Sequence, residues 1–276
     1  MTYWNEINDT HLELYRTPGY RKARSIREDI NDQGTVGNII TSSDVIFIGS
    51  CDIMTVVPDK NDHWARRLHN TRHKNSPLIA LGVTSGGLPT IVRKMYAYIN
   101  NFGAPKILYL TIPRFEGYEY VSKSGKCYNA SSSVVTVEFA LAQEIVTTEE
   151  ANIWLHQLES NELNRNTYNN LYILEERFAF IETLCKLHNI KLHWSFNPSA
   201  NSINALYANL AAFENISDFM KDSFVGLPEI KDLMPDTSIG PNTHQKLYDK
   251  FMNPELWDYN NLCNQATYNY EWLQNK

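Results

Sequence analysis

DVIFIGSCDIMT, residues 44–55, is an apolar run that breaks abruptly into small polar residues. Its apolar part, DVIFIG at 44–49, has the length and composition of a strand buried on both faces of a parallel sheet. Two similar runs follow along the chain, PLIALGV at 77–83 and KILYLTI at 106–112. We therefore predict three buried strands at the centre of the fold.

The two segments between these strands have the residue spacing of helices. DKNDHWARRLHN, residues 59–70, places Trp64 and Leu68 one turn apart on a single helical face. LPTIVRKMYAYINNFG, residues 88–103, keeps its apolar residues at helical spacing and ends in Gly103, a credible C-terminal stop. Alternating strands and helices imply right-handed crossovers. The predicted fold class is α/β, a three-layer α/β/α sandwich with a mostly parallel, doubly wound sheet.

The rest of the chain is arranged around this α/β domain, which we place at residues 41–253. Residues 1–40 are polar and predict an N-terminal extension with helical pieces packed on the domain. Within the domain, residues 114–147 are irregular and predict a hairpin insertion with its turn near Ser124-Gly125. Residues 254–276 form a tail rich in Trp, Tyr and Asn, which either wraps the domain or meets a protein partner or a second copy of the chain.

Further elements are predicted towards the carboxyl end of the domain. They are a long helical stretch over about 149–188, a strand at KLHWSF (191–196), a helix at SINALYANLAAF (202–213), and a helix that starts near Pro241. Proline is favoured in the first turn of a helix, which supports the last assignment.

The composition excludes several classes of protein. A net charge of −6 and a pI of about 5.8 argue against the basic face of a nucleic-acid binder. The four cysteines lie far apart and the histidines show no H-x-H or H-E-x-x-H arrangement, so we predict free thiols, no metal and no cofactor. The N-terminus lacks the apolar core of a signal peptide, and no run of about 18 apolar residues would span a membrane. A cytoplasmic protein is expected.

The candidate functional residues follow from the predicted sheet, because ligands of doubly wound sheets bind beyond the carboxyl ends of the strands. Ser50 and Cys51 follow the first strand, and Cys51 is either a thiol nucleophile or a small residue that fills space. Arg114, beyond the third strand, either grips a carboxylate or phosphate group or pairs with Glu116. The glycine loop beyond the second strand contributes Gly82, Gly86, Gly87 and the adjoining Leu88.

Four segments in order resemble the SGNH (GDSL) hydrolase superfamily, especially its phage-encoded and bacterial members. They are VIFIGSCDIMTVVPDKNDHWARRL (45–68), IALGVTSGGLPTIVRKMYAYI (79–99), ILYLTIPRFEGYE (107–119) and MPDTSIGPNTHQKLYDKF (234–251). The first matches a strand ending in Gly-x-Ser with a Trp about a dozen residues later, and the last matches an Asp-Gly-His-Pro-Gly block. The resemblance covers most of residues 40–252 and implies a flavodoxin-like SGNH fold.

The resemblance also implies a set of site residues. In the family a serine attacks an ester carbonyl, a histidine is its base, and an aspartate orients that histidine. The family serine falls on Cys51, with Ser50 one place early, and the oxyanion-hole glycine falls on Gly86. The remaining positions depart from the pattern: the asparagine donor falls on Leu88, the aspartate on Asp236, the catalytic histidine on Ser238, and a second, helix-borne histidine on His244.

Three functions follow as expectations from this resemblance. The first is an ester hydrolase acting on a small or saccharide carboxyl ester, such as an O-acetylated sugar, with Cys51 or Ser50 as nucleophile, His244 as base and Asp236 as its orienting partner. The second is a non-catalytic descendant that binds a glycan or a protein partner, as a phage accessory or virion protein would. The third is a transferase that passes an acyl group elsewhere.

Overall fold

The computed structural model describes the following parts of the chain: residues 10–11, 36–37, 40–49, 51–54, 60–82, 87–112, 118–121, 127–130, 134–142, 144, 146–163, 167–196 and 241–253. The described strands are, in chain order, β1 (Thr10–His11), β2 (Val36–Gly37), β3 (Val45–Gly49), β4 (Ile79–Gly82), β5 (Ile107–Ile112), β6 (Tyr118–Val121), β7 (Cys127–Ala130) and β8 (Lys191–Phe196).

The described helices alternate with these strands through the central part of the chain. They are α1 (Cys51–Met54), α2 (Trp64–Arg72), α3 (Leu88–Phe102), α4 (Val134–Ala142), α5 (Thr148–Leu163), α6 (Thr167–Leu187) and α7 (Pro241–Met252), with a 3₁₀ turn at Lys60–Asp62 before α2. Among them, none combines the length and the apolar character that a membrane-spanning segment needs.

The central sheet confirms the predicted α/β class. β4, β3, β5 and β8 lie side by side and run parallel, so that these four strands follow the order 2-1-3-4. The two-residue strand β2 pairs antiparallel with β4 on its other side. The predicted apolar runs contain the strands Val45–Gly49, Ile79–Gly82 and Ile107–Ile112, because parallel strands covered by helices are apolar along their whole length.

Helices cover both faces of this sheet. Successive residues of β3 point to opposite faces, and on one face Ile46 and Ile48 pack with α3 and α6. On the other face Phe47 clusters with Trp64 of α2 and Phe251 of α7. Each fully buried Ile or Phe side chain stabilises the fold by about 1.5–3 kcal/mol relative to an exposed one. The two apolar clusters therefore fix α2, α3, α6 and α7 against the sheet.

The end of α3 lies where the sequence predicts it. Gly103 has a φ of 87°, and its N–H donates to the carbonyl of Ile99 at 2.9 Å. Because a side chain disfavours positive φ, glycine terminates the helix at little cost here. The strand at 191–196 and the helix from Pro241 are also confirmed.

The hairpin predicted within residues 114–147 is present as β6 and β7. The two strands pair antiparallel, with Val121 opposite Cys127 at the end of the ladder. β1 joins β7 in parallel, so that a small second sheet has the order β1-β7-β6. The turn at Ser124-Gly125 lies outside the described residues.

The stretch predicted as one long helix over 149–188 contains two described helices, α5 and α6. Residues 164–166 between them lie outside the described residues, as do the helix predicted at 202–213 and the tail at 254–276. Of the N-terminal extension, β1, β2 and Ile40 are described, and β2 belongs to the central sheet.

Candidate functional site

The candidate site lies where β3 ends and α1 begins, at the carboxyl edge of the parallel sheet. β3 ends at Gly49 and α1 begins at Cys51, so that a single residue separates strand from helix. In the register of the sheet Gly49 lies beside Gly82, the last residue of β4. This edge is where α/β sheets bind ligands, and both glycines are buried there.

Gly49 has no room for a side chain. A Cβ at this position would overlap the Thr111 hydroxyl of β5 and would lie 2.7 Å from Cγ1 of Ile53. Glycine thus permits side chains of β5 and α1 to come close to the end of β3. The close approach brings Thr111 within reach of α1.

Asp52 in α1 accepts hydrogen bonds from both of these neighbouring elements. Its Oδ2 accepts from the Thr111 hydroxyl at 2.6 Å and from the Trp64 indole N–H at 3.2 Å. The hydroxyl has a single proton, and the carbonyl of Ile48 lies farther away at 3.5 Å. Asp52 is 0 % exposed. A buried carboxylate of this kind joins α1 to β5 and α2 with bonds stronger than those between neutral groups.

Two buried histidines lie next to this carboxylate network. His63 and His244 are 1 % and 0 % exposed, and their ring centres are 4.8 Å apart. His63 Nε2 lies 3.1 Å from the carbonyl of Ile53, which only accepts, so that Nε2 carries a proton. His244 Nδ1 accepts from the backbone N–H of Trp64 at 3.3 Å, so that neutral His244 carries its proton on Nε2.

Aromatic side chains enclose the network on the α2 side of the sheet. The Trp64 ring stacks on Phe251 with centres 5.0 Å apart and meets Phe47 edge-on at 5.8 Å. Leu247 of α7 is buried in the same cluster. Because this surrounding has a low dielectric constant, the hydrogen bonds of Asp52 are stronger than they would be in water.

A second polar cluster lies on the same face of the sheet, around Tyr109 of β5. His73 Nε2 lies 3.0 Å from the Tyr109 hydroxyl, and the His193 ring stacks on Tyr109 with centres 5.0 Å apart. Burial lowers the pKa of His73, and the electrostatic effects of the nearby His69 and Arg72 lower it further. Burial also lowers the pKa of His193 and raises that of Tyr109. Both imidazoles are therefore held in the neutral form more strongly than free histidine.

The structure describes some of the residues that the sequence singled out. Gly82 ends β4 beside the β3–α1 turn, Gly87 caps α3, and Leu88 is 5 % exposed within the core that α3 shares with the sheet. Cys51 is the first residue of α1, and His244 is joined to the turn through Trp64. The side chain of Cys51 and the other candidates lie outside the described residues, namely Ser50, Gly86, Arg114, Glu116, Asp236 and Ser238.

Asp52, His63 and Thr111 belong to the network but were not proposed as site residues from the sequence. The histidines, His63 among them, were considered only for metal spacing, and they show none. A usable signal existed for Thr111, because it lies at the carboxyl end of a predicted strand. His63 bonds to a backbone carbonyl, and such a partner leaves no trace in side-chain spacing.

A surface cavity of about 300 Å³ lies at the opposite, amino edge of the sheet. It is lined by residues around the starts of β3 and β5 and the end of α2, including Asp44, Arg72, Lys74 and Lys106. Two of its cations already have partners, since Lys106 pairs with Asp44 at 2.9 Å and Arg72 donates to the carbonyl of Met252 at 3.0 Å. Within the described residues, no group of three or more His, Cys, Asp or Glu side chains is placed to hold a metal ion.

These features define an α/β protein with a parallel sheet, flanking helices and a buried Asp–Trp–His network at the carboxyl edge. Comparisons of the chain with models of protein families, with curated proteins and with solved structures find no match. The site's geometry and the sequence resemblance therefore carry the functional argument.

Proposed function

We propose that the chain is an ester hydrolase of the SGNH type, acting on a carboxyl ester such as an O-acetylated saccharide. The observation that carries the proposal is the β3–α1 junction, where Cys51 begins a helix at the carboxyl edge of a central parallel strand. A nucleophile at such a strand-to-helix turn is exposed to ligands that bind at this edge. On this proposal the fold is a doubly wound, flavodoxin-like three-layer sandwich over residues 41–253.

In the proposed reaction the sulfur of Cys51, or the hydroxyl of Ser50, attacks the ester carbonyl carbon. The base takes the proton of the nucleophile and returns it to the alcohol that leaves. Water then attacks the acyl group and gives a proton to the base, which passes it to the departing nucleophile, so that the carboxylic acid is released. Backbone N–H groups near Gly82 and Gly86 would stabilise the oxyanion. His244 is the histidine proposed as base, with Asp236 orienting it.

The tautomer of His244 favours a second function, that of a non-catalytic descendant that binds a glycan or a protein partner. A triad histidine holds its proton on Nδ1 and accepts the nucleophile's proton at Nε2. His244 Nδ1 instead accepts from the Trp64 N–H. Leu88, at the position of the family's asparagine donor, is buried in the core and offers no side-chain donor.

Turnover of p-nitrophenyl acetate separates the two functions. We expect the wild type to turn over many equivalents of ester, and Cys51→Ala or Ser50→Ala to lower kcat by at least about 100-fold, depending on which residue attacks. Cys185→Ala is the matched control, because the Cys185 thiol is buried and its pKa is raised to about 11. Equal rates in the wild type, Cys51→Ala, Ser50→Ala and His244→Ala would exclude the hydrolase and leave the binding function.

A further inference from the structure

We propose that Asp52 is the positioning residue of the β3–α1 turn, which it holds through Thr111 and Trp64 so that the backbone of Cys51 stays at the carboxyl edge of the sheet. The inference rests on the proposed function, since it assigns a role within the same site. It goes beyond the resemblance as described above, which assigns no role to Asp52.

Asp52 is a buried acid in a helix of only four residues. α1 comprises Cys51–Met54, too few residues to be a stable helix by itself. Asp52 and Ile53 are both 0 % exposed. A buried carboxylate costs several kcal/mol in desolvation unless hydrogen bonds offset it. The short helix therefore keeps its position through tertiary contacts.

The geometry of those contacts holds the carboxylate from two sides of the site. Thr111 and Trp64 donate to the same oxygen of Asp52, from β5 and from α2 respectively. Two donors from different elements fix both the position and the orientation of the carboxylate, and hence of the backbone that carries Cys51. Gly49, which has no space for a Cβ, allows this approach.

A further hydrogen bond holds Ile53, the residue next to Asp52 in α1. His63 donates from Nε2 to the carbonyl of Ile53 at 3.1 Å. His244 accepts the backbone N–H of Trp64, the residue whose indole binds Asp52. Asp52 and Ile53, consecutive residues of α1, are thus joined to β5, to α2 and to His63 directly before α2, with Asp52 as the side chain common to two of the bonds.

Two substitutions at Thr111 separate the effect of its hydroxyl from that of its methyl group. Thr111→Val keeps the side-chain volume but removes the hydroxyl, and Thr111→Ser keeps the hydroxyl but removes a methyl group. If Asp52 positions the nucleophile, Thr111→Val and Asp52→Asn each lower kcat for p-nitrophenyl acetate roughly 10- to 100-fold with little change in KM, whereas Thr111→Ser keeps most of the activity. The double variant Asp52→Asn/Thr111→Val should be no slower than the worse single variant.

Glu150→Gln is the matched control for the loss of a buried carboxylate. Glu150 is 7 % exposed and also accepts two hydrogen bonds, from the backbone and hydroxyl of Thr147 at the start of α5. Its substitution should lower stability without changing kcat. A merely structural Asp52 would behave like Glu150, and Asp52→Asn, Thr111→Val and Thr111→Ser would then all keep the kcat of the wild type.

A readout independent of hydrolysis separates this inference from the proposed function. Alkylation of Cys51 by iodoacetamide, followed peptide by peptide with mass spectrometry, should become several-fold faster in Thr111→Val, where the tether is lost and the charge of Asp52 is kept. Glu150→Gln and Thr111→Ser should match the wild type. If neither the wild type nor any variant hydrolyses the ester but this alkylation pattern is observed, the proposed function fails while the positioning role of Asp52 is supported. Unchanged alkylation and unchanged kcat in Thr111→Val and Asp52→Asn would overturn the inference even in an active enzyme.

Discussion

Replacing Gly49 with alanine tests the close approach on which the site depends. The added Cβ would overlap the Thr111 hydroxyl and lie 2.7 Å from Ile53 Cγ1. Overpacking of this kind costs about 1–3 kcal/mol. Moving Thr111 away also weakens its bond to the Asp52 carboxylate, and a hydrogen bond to a charged group contributes about 1.5–3 kcal/mol. The smaller chain entropy of unfolded alanine returns only about 0.4–1 kcal/mol.

Gly49→Ala should therefore lower the free energy of unfolding by roughly 2–5 kcal/mol, a large part of the stability of an ordinary domain. Urea titration followed by tryptophan fluorescence measures this loss, because Trp64 is buried beside the perturbed site. Gly103→Ala is the control: its φ of 87° strains an alanine, but a Cβ there meets no atom within 4 Å. The free energy of unfolding of Gly103→Ala should fall by about 1–3 kcal/mol, from backbone strain alone.

Removing the clashing hydroxyl identifies the cause of the loss. Thr111→Ala destabilises by itself, yet Gly49→Ala/Thr111→Ala should lose at least about 1 kcal/mol less than the sum of the single variants, since the two residues compete for one space. Gly103→Ala/Thr111→Ala should be additive. A loss below about 1 kcal/mol for Gly49→Ala, or additivity with Thr111→Ala, would refute the packing argument.

Further predictions concern the core, the pH dependence of stability and the buried thiol. Leu88→Asn should cost about 2–4 kcal/mol of unfolding free energy in urea and Leu88→Met less than about 1.5, because Leu88 is buried; equal losses would contradict this. Unfolding free energy should fall as pH drops from 7.5 to 5: burial lowers the pKa values of His73 and His193 below 6.5, so the unfolded chain binds protons in this range that the folded chain does not. The fall should be smaller in His193→Asn, and pH-independent urea midpoints would oppose the assignment. Cys185, with its pKa raised to about 11, should resist iodoacetamide at pH 8 until urea unfolds the protein; rapid labelling of the folded chain would contradict its burial.

The central strands were predictable because the physics that buries them acts locally. A strand covered by helices on both faces must be apolar at nearly every position, and DVIFIG, PLIALGV and KILYLTI satisfy this requirement without reference to any other segment. The same holds for α3, whose apolar spacing and terminal Gly103 lie within one stretch. The pairing of β2 was not predictable, since two residues carry no periodic signal and their position depends on the edge of β4.

The site was predictable in its position but not in its hydrogen bonds. The rule that ligands meet the carboxyl ends of parallel strands identified the β3–α1 turn. Asp52 bonds to Thr111, 59 positions further along the chain. Trp64 bonds to His244, 180 positions further along the chain. Such pairs become neighbours only in the folded chain, and a single sequence contains no pattern that links them. The sequence showed Thr111 at the end of a predicted strand and Trp64 about a dozen residues after the β3–α1 turn, but not that both donate to Asp52.

The bond between Trp64 and His244 also bears on the order of events during synthesis. At about 5–20 residues per second, a ribosome needs roughly 10–35 s to add the 180 residues that separate them. During this interval α2 has emerged while α7, which contributes Leu247 and Phe251 to the same apolar cluster, does not yet exist. A nascent chain would therefore expose Phe47 and Trp64 on one face of the sheet, and this face is where we expect a chaperone to bind first.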